Sequence, residues 1–287
     1  MEVTLAKHYG FCQGVKNALN IVYNTKKMYP DKEIYLLNKL VHNNNVIDDI
    51  KKLGIKLADE KLSIEERIYL IPDNSVVIYS AHGHDEKIET ISKQKNLIEV
   101  DAICPRVKLN INSIKNFIDK GEKIIYIGIL NHPETIASLA INKDIIFIDF
   151  KNPNYSNLKN VNRAIIHNQT TLIQSSLDKI YEDIKKFVPE IIIKNDICFA
   201  TQDRQNALND INDEDLILII GDKISSNSTR LYEVCKNKYQ NRDCHQISSL
   251  DDLLKIDLTK YNKAFITAGA STPENVIDPI IDFLKKY

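Results

Sequence analysis

Three cysteines divide this 287-residue chain into nearly equal parts, and their spacing constrains the fold more than any other feature. Cys12, Cys104 and Cys198 are separated by 92 residues (12 to 104) and 94 residues (104 to 198). Each follows a short strand-like or turn-like stretch and precedes a pattern of apolar or polar residues typical of a helix start. The spacing predicts three structural repeats, over residues 1–98, 99–192 and 193–287, with one cysteine in each.

Strand patterns alternate with helix patterns in every repeat. The apolar runs VVIYS (76–80), KIIYIGI (123–129) and LILII (216–220) are typical of buried strands. Strands that alternate with helices favour parallel sheets joined by right-handed crossovers. We therefore expect an α/β protein with three similar domains, each with a small and mainly parallel sheet, arranged around a pseudo-three-fold centre.

Polar side chains follow two of the predicted strands in each repeat. They lie 27 to 30 residues and 66 to 73 residues after the respective cysteine: His42 and His82, His132 and Thr170, Ser225 and Ser271. Ligands of parallel sheets bind beyond the carboxyl ends of the strands. The repeat therefore predicts one shared cavity, with the three thiols at its floor.

The cysteines have the isolated placement that suits an iron–sulfur cluster. Zinc sites usually contain a Cys-x-x-Cys pair, and the sequence has none. A helix N-terminus favours the thiolate form of a cysteine. Three thiolates suit three corners of a cubane iron–sulfur cluster, and a cluster with four irons would then have one iron left open to bind substrate. The alternative is that they are small buried hydrophobic residues. Cys235 and Cys244 fall outside the repeat, and we leave both out of the site.

The polar positions carry neutral or weakly basic donors, which is what a phosphate or diphosphate needs. They are His42, His82, His132, Ser225, Ser226, Asn227 and Ser271. Each one alone could equally be a structural hydrogen-bonding residue or a helix cap. No Walker or G-x-G-x-x-G sequence supports nucleotide binding.

Glu134 is the only carboxylate within these strand-end motifs. In a cavity shared with a metal centre it could serve as a general acid, with a raised pKa and a hydrogen-bonding threonine. The alternative is a structural residue in the first turn of a helix that follows Pro133.

Charge and composition narrow the possible partners. The net charge of −1 gives no general attraction to nucleic acid or to an anionic membrane surface. No apolar run approaches the length of a membrane span, and the first residues do not resemble a signal peptide. We therefore expect a cytoplasmic protein that binds neither nucleic acid nor membranes.

Nine short motifs, in order from residue 10 to residue 271, resemble the LytB family of hydroxymethylbutenyl diphosphate reductases. They are GFCQGV, VHN, SAHG, DAICP, HPE, QTT, DICFAT, SSNS and TAGAS. The resemblance implies three α/β domains in a pseudo-three-fold trefoil around one central 4Fe-4S cluster. It also implies reductive removal of the allylic hydroxyl of (E)-4-hydroxy-3-methylbut-2-enyl diphosphate. The products would be isopentenyl and dimethylallyl diphosphate, at the last step of the methylerythritol phosphate route to isoprenoids.

The same resemblance implies a role for each motif residue. Cys12, Cys104 and Cys198 would be the cluster ligands, while Glu134, supported by Thr170, would relay protons to the substrate hydroxyl. His132 would line the same pocket. The diphosphate would be held by His42, His82, Ser225, Ser226, Asn227 and Ser271. Since no NAD or flavin motif is present, ferredoxin or flavodoxin would supply the electrons.

The chain departs from the family pattern in a few places. Asn131 stands before HPE where the family usually has glycine, the stretch after Glu134 lacks the usual Glu-Gly, and the sequence ends soon after TAGAST. These differences predict altered loop geometry and altered closure of the site. The main alternative function is a non-catalytic iron–sulfur or zinc protein of this fold, acting in electron transfer or sensing.

Overall fold

Twelve strands form three separate four-stranded sheets in the computed structural model, which describes residues 1–287. Every strand pair is parallel, which confirms the predicted α/β class. The first sheet contains β2 (Ile34–Leu36), β3 (Lys56–Leu57), β4 (Val76–Tyr79) and β5 (Ile98–Asp101); the second contains β6 (Ile124–Gly128), β7 (Ile146–Asp149), β8 (Arg163–Asn168) and β9 (Glu190–Ile193); the third contains β1 (Glu2–Leu5), β10 (Leu216–Ile220), β11 (Asp243–Ile247) and β12 (Lys263–Ala268).

All three sheets share one strand order. Read in the same direction, the orders are β3-β2-β4-β5, β7-β6-β8-β9 and β11-β10-β12-β1. In each sheet the chain runs from the first central strand to the edge strand beside it. It then crosses back to the second central strand, which lies on the other side of the first. The topological switch point, where open parallel sheets bind ligands, therefore lies between the two central strands. The polar positions of the sequence repeat follow these central strands: β2 and β4 (His42 and His82), β6 and β8 (His132 and Thr170), β10 and β12 (Ser225 and Ser271).

The three cysteines instead follow edge strands. β1, β5 and β9 precede Cys12, Cys104 and Cys198. As a result, β1 belongs to the sheet of the last repeat, where it pairs with β12 and forms the edge of that sheet. The strand β5 likewise extends past the predicted boundary at residue 98 while still pairing with β4. The division at residues 98 and 192 stays a prediction.

Eleven helices connect the strands. They are α1 (Gln13–Met28), α2 (Asn44–Lys52), α3 (Ile64–Leu70), α4 (Glu86–Gln94), α5 (Pro105–Asp119), α6 (Pro133–Leu139), α7 (Gln174–Lys185), α8 (Phe199–Ala207), α9 (Ser226–Lys238), α10 (Leu250–Leu253) and α11 (Glu274–Lys286). Every residue of β4, β6 and β10 is buried, as expected for parallel strands covered on both faces. The terminal helix α11 shows the packing, since Ile277, Ile280 and Leu284 join the apolar core of the third sheet.

The chain divides into two compact units. Unit 1 comprises Met1–Val15, Val41–Ile47 and Cys198–Tyr287 and holds the third sheet. Unit 2 comprises Lys16–Leu40 and Asp48–Ile197 and holds the first and second sheets. No helix in the structure combines the length and apolar character that crossing a membrane requires.

Candidate active site

Each of the three repeat cysteines lies one residue before a helix, as the sequence predicts. The helices α1, α5 and α8 start immediately after Cys12, Cys104 and Cys198. Cys104 and Cys198 have the extended backbone of N-cap residues (ψ 130° and 147°). All three are partly exposed free thiols. The start of a helix is a position at which unpaired backbone N–H groups and the helix dipole favour a thiolate.

Backbone hydrogen bonds attach the cysteine segments to the polar loops of the neighbouring central strands. In unit 1, Cys12 N donates to Ala270 O (3.0 Å), next to Ser271. In unit 2, Cys104 N donates to Ala81 O (3.0 Å), next to His82. The same relation between an edge strand and a central strand thus recurs in two different sheets.

A side-chain pair makes the corresponding connection between β9 and β8. Asp196 Oδ2 accepts from Asn168 N (3.2 Å), and Asn168 Oδ1 accepts from Asp196 N (3.0 Å). Asp196 also accepts from the fully buried His167 at 2.8 Å. Asn168 lies two residues before Thr170, so this network fixes the segment that carries the threonine. The sequence motifs gave no indication of it.

In unit 1 the structure brings together the serines and the asparagine of the predicted diphosphate site. Ser225 caps α9, where its Oγ accepts from Ser228 N (3.4 Å), and the Oγ atoms of Ser225 and Ser271 are 3.3 Å apart. Both serines are buried, whereas Ser226, the first residue of α9, is partly exposed. Two hydroxyls beside the start of a 13-residue helix form a favourable environment for an anion.

Asn227 connects this hydroxyl pair to a cysteine. Its Oδ1 accepts from Ala270 N, and its Nδ2 donates to Thr201 Oγ1, both at 3.0 Å. Thr201 Oγ1 is in turn 3.0 Å from Cys198 Sγ. Thr201 was missed as a site residue, although its place three residues after Cys198 on a helix puts both on one face.

The segment that carries His42 belongs to the same unit. Asn44 N donates to Asp222 Oδ2 (3.1 Å), which holds this segment at the loop between β10 and Ser225. Asn43 is buried and accepts from Val46 N through its Oδ1 (3.3 Å), so the first turn of α2 is capped. His42 therefore lies directly before a capped helix start that is hydrogen-bonded to the loop after β10.

Two glycines allow α9 to start directly against the ends of β10 and β12. A Cβ atom on Gly221 would lie 2.3 Å from Ser228 Oγ, and a Cβ atom on Gly269 would lie 2.0 Å from the same oxygen. Ser228 is fully buried, and its hydroxyl has no hydrogen-bond partner. The close approach of Ser228 to the two glycines therefore positions the start of α9, and it does not provide a hydrogen bond for the Ser228 hydroxyl.

In unit 2 the structure brings Glu134 and Thr170 together. Glu134 is only 1% exposed, and its two oxygens accept from Thr170 N (2.8 Å) and Thr170 Oγ1 (2.9 Å). Burial raises the pKa of Glu134 to about 7, and the two hydrogen bonds from Thr170 oppose that rise. A carboxyl group with a pKa near neutral can both hold and release a proton under physiological conditions.

His132 lies at the start of the helix that carries Glu134 and contacts a second histidine. His132 caps α6 and accepts from Glu134 N through Nδ1 (3.2 Å). The rings of His82 and His132 contact edge to face, with centroids 5.5 Å apart. Unit 2 thus contains four of the predicted residues: the acid Glu134 and three residues that can donate hydrogen bonds, His82, His132 and Thr170.

Comparison with known proteins assigns the family. The model of the LytB protein family matches residues 3–285. The chain belongs to the LytB family. Among similar proteins, the 4-hydroxy-3-methylbut-2-enyl diphosphate reductase of Caldanaerobacter subterraneus subsp. tengcongensis is 33% identical over 286 residues, covering 99% of this chain and 97% of the relative. The reductase of the same name from Malacoplasma penetrans is 36% identical over 295 residues, covering 100% and 98%.

Solved structures agree with this assignment. The structure of the E-1-hydroxy-2-methyl-but-2-enyl-4-diphosphate reductase from Plasmodium falciparum is similar with a TM-score of 0.87 and 29% identity, over 99% of this chain and 88% of that one. A structure of (E)-4-hydroxy-3-methyl-but-2-enyl diphosphate reductase, described as the terminal enzyme of the non-mevalonate pathway, gives a TM-score of 0.71 and 26% identity, over 100% and 99%.

LytB proteins are iron–sulfur oxidoreductases of isoprenoid biosynthesis, and the donor set of this chain fits an iron–sulfur centre. Cys12, Cys104 and Cys198 offer three thiols at helix starts, and thiolates are the usual protein ligands of such centres. The remaining two cysteines contact each other, with Cys235 Sγ and Cys244 Sγ 2.7 Å apart in an apolar cluster. Both lie outside the three predicted ligand positions.

Asn131, a departure from the LytB pattern, preserves the backbone conformation that a glycine would adopt. Its φ is +64°, in the left-handed region. Asparagine enters this region more easily than other non-glycine residues, since its short polar side chain can hydrogen-bond locally. This backbone conformation is one that both asparagine and glycine can adopt, and altered geometry of the loop before His132 stays a prediction.

Replacement of Gly269 by alanine should destabilise unit 1 and weaken binding of inorganic diphosphate. The added methyl group overlaps Ser228 Oγ, and overpacking of this kind costs about 2 kcal/mol. The double variant G269A/S228A should recover part of the loss because it removes that oxygen. Urea unfolding and calorimetric titration with diphosphate measure the two effects. Equal stability of G269A and wild type, or no recovery in the double variant, would contradict the proposed contact.

Glu134 should make stability depend on pH. Its pKa is raised from 4.5 to about 7 on folding, so the folded protein retains this proton in a pH range where the unfolded chain releases it. The contribution of Glu134 to the free energy of unfolding should therefore fall by roughly 3 kcal/mol as pH rises from 4.5 to 7. The variant E134Q should lack this contribution. Urea midpoints at pH 5 and pH 8 test the difference.

The control for this measurement is E214Q. Glu214 is also buried, and burial acts to raise its pKa, but hydrogen bonds hold that pKa below the ordinary value. Its contribution to the free energy of unfolding is therefore lost as pH falls, not as pH rises. This variant should keep the fall in stability between pH 5 and 8. Equal pH dependence in wild type and E134Q would show that Glu134 is already ionised in the folded protein at pH 5.

Proposed function

We propose that this chain is a 4-hydroxy-3-methylbut-2-enyl diphosphate reductase. The substrate would gain two electrons and two protons, lose its allylic hydroxyl as water, and give isopentenyl and dimethylallyl diphosphate. One proton would leave with the hydroxyl, and the other would be added to the allylic carbon chain. The observation that carries the proposal is the buried Glu134, paired with Thr170 within a chain that matches the family along nearly its whole length.

We infer that Cys12, Cys104 and Cys198 hold one 4Fe-4S cluster, with one iron that has no protein ligand. When bound, such a cluster would supply electrons singly and a Lewis-acidic iron for the substrate hydroxyl. The helix start beside each cysteine would stabilise the thiolate form of the ligand.

The diphosphate would be held by neutral donors. Ser225, Ser226 and Asn227 lie at the start of α9, where free N–H groups add to the side-chain donors. Ser271 places a second hydroxyl beside Ser225, and His42 and His82 would complete the set. Fixing the diphosphate would also orient the carbon chain, so binding energy would contribute to the reaction through positioning.

Glu134 would deliver the proton that converts the hydroxyl into water. Its raised pKa keeps a substantial fraction protonated near neutral pH. Thr170 would hold both carboxyl oxygens and stabilise the carboxylate after transfer, and His132 would line the pocket and fix the main chain of Glu134. The electron donor would be ferredoxin or flavodoxin, and a cytoplasmic location stays part of this proposal.

The variant E134Q should keep its iron and sulfide but lose activity. Removing a general acid costs about 100- to 10,000-fold in rate, and the amide cannot supply the proton. Anaerobic turnover with a one-electron dye as donor, following both diphosphate products, measures the loss. The matched control E214Q alters a buried carboxyl group in unit 1 and should retain activity. Near-normal turnover by E134Q would remove Glu134 from the mechanism.

Anaerobically isolated wild-type protein should contain about four irons and a matching amount of sulfide, and it should lose them in air. Iron and sulfide analysis with Mössbauer spectroscopy measures this content. Stoichiometric zinc without sulfide would instead favour a non-catalytic protein of the same fold. A loaded cluster without turnover of the diphosphate would favour a role in electron transfer or sensing.

A further inference from the structure

Arg204 is a buried cation that the mechanism above does not use. It lies on α8 and is only 5% exposed. Its Nη1 donates to Ala200 O (2.7 Å), its Nη2 donates to Gly10 O (2.6 Å), and its Nε has no hydrogen-bond partner. No carboxylate forms an ion pair with it. All of these atoms belong to unit 1.

A second arginine of the same unit shows the ordinary solution for a buried guanidinium. Arg230 is 6% exposed, and its Nη1 is 2.6 Å from Glu233 Oε2. Leaving a buried charge without a counterion is costly, so buried arginines are normally paired. Arg204 therefore differs from Arg230 in lacking a carboxylate, while it has the same burial.

Burial lowers the pKa of the Arg204 guanidinium, and the nearby thiols of Cys12 and Cys198, together with Asp203, oppose that shift. The two carbonyls that it binds belong to the same two segments. Gly10 lies two residues before Cys12, and Ala200 lies two residues after Cys198. One rigid guanidinium thus joins the approach to one cysteine with the helix that starts at the other.

We propose that Arg204 is the fixed countercharge of the iron–sulfur centre and the clamp between two of its three ligand segments. This inference rests on the proposed function, since it requires the thiols of Cys12 and Cys198 to be cluster ligands. Thiolate ligands and sulfide make such a centre anionic, and reduction adds a further negative charge. A cation held permanently beside it would favour the reduced state, since net charge near a cluster sets its reduction potential.

The two roles can be separated because arginine and lysine are not equivalent. The clamp needs two N–H groups in a planar fork, whereas the countercharge needs only a cation. R204K should keep the reduction potential close to that of wild type but lose cluster faster on exposure to a chelator. R204M should lose both properties. R230M, which removes the paired arginine, should change neither.

The test is a redox titration of the anaerobic protein monitored by electron paramagnetic resonance, with iron retention measured against chelator in parallel. The midpoint potential of R204M should become more negative than that of wild type. A tenfold decrease in the equilibrium constant for reduction corresponds to a shift of about 59 mV for a one-electron couple. Circular dichroism confirms that each variant is folded. If R204M does not fold or load, R204K still decides the clamp, because iron retention equal to that of wild type would overturn it.

The outcomes distinguish this inference from the proposed function. Wild-type protein without any cluster would overturn the proposed function, and with it the premise of this inference. Loaded wild type together with R204M of unchanged potential and unchanged iron retention would overturn the role of Arg204 alone. A potential of R204K well below that of wild type would overturn the countercharge, because the cation is retained in R204K.

Discussion

The pairing of an edge strand with a central strand is the interaction on which the rest of the structure depends. β1, β5 and β9 each lie beside the central strand that leads to Ser271, His82 or Thr170, and each runs into a cysteine. Parallel strands bring their carboxyl ends to the same edge of a sheet. Sheet formation alone therefore carries each thiol segment to a polar loop, and the hydrogen bonds from Cys12 N and Cys104 N then fix that position.

Burial acts differently on the predicted site residues of the two compact units. In unit 1 the buried polar residues Ser225, Asn227 and Ser271 are neutral, so burying them requires only hydrogen bonds, and these are present. In unit 2 the buried residue Glu134 is ionisable, so burial changes its proton affinity as well. Neutral donors suit the binding of an anion, whereas a carboxyl group with a raised pKa suits the transfer of a proton.

The sequence predicted those features that depend on local pattern. The parallel strands and the helix starts after Cys12, Cys104 and Cys198 follow from apolar periodicity and cysteine spacing, whereas the contact between Glu134 and Thr170 was implied by the resemblance to the LytB family. Pairing of β1 with β12 could not be predicted, because it joins opposite ends of the chain and leaves no local signal. Thr201 and Arg204 were missed because each lies inside a helix, where polar residues are usually exposed to solvent.

The environment of Glu134 shows why a threonine lies at the end of β8. Burial of this carboxyl favours the neutral acid, and two hydrogen bonds from Thr170 favour the carboxylate. Burial alone would hold the proton too firmly for release near neutral pH, while a solvated carboxyl would have lost it already. The hydroxyl of Thr170 adds a second donor to the backbone N–H that any residue at this position would provide. Main chain and side chain together therefore set the proton affinity, and the register between β6 and β8 supplies the geometry in which both can act.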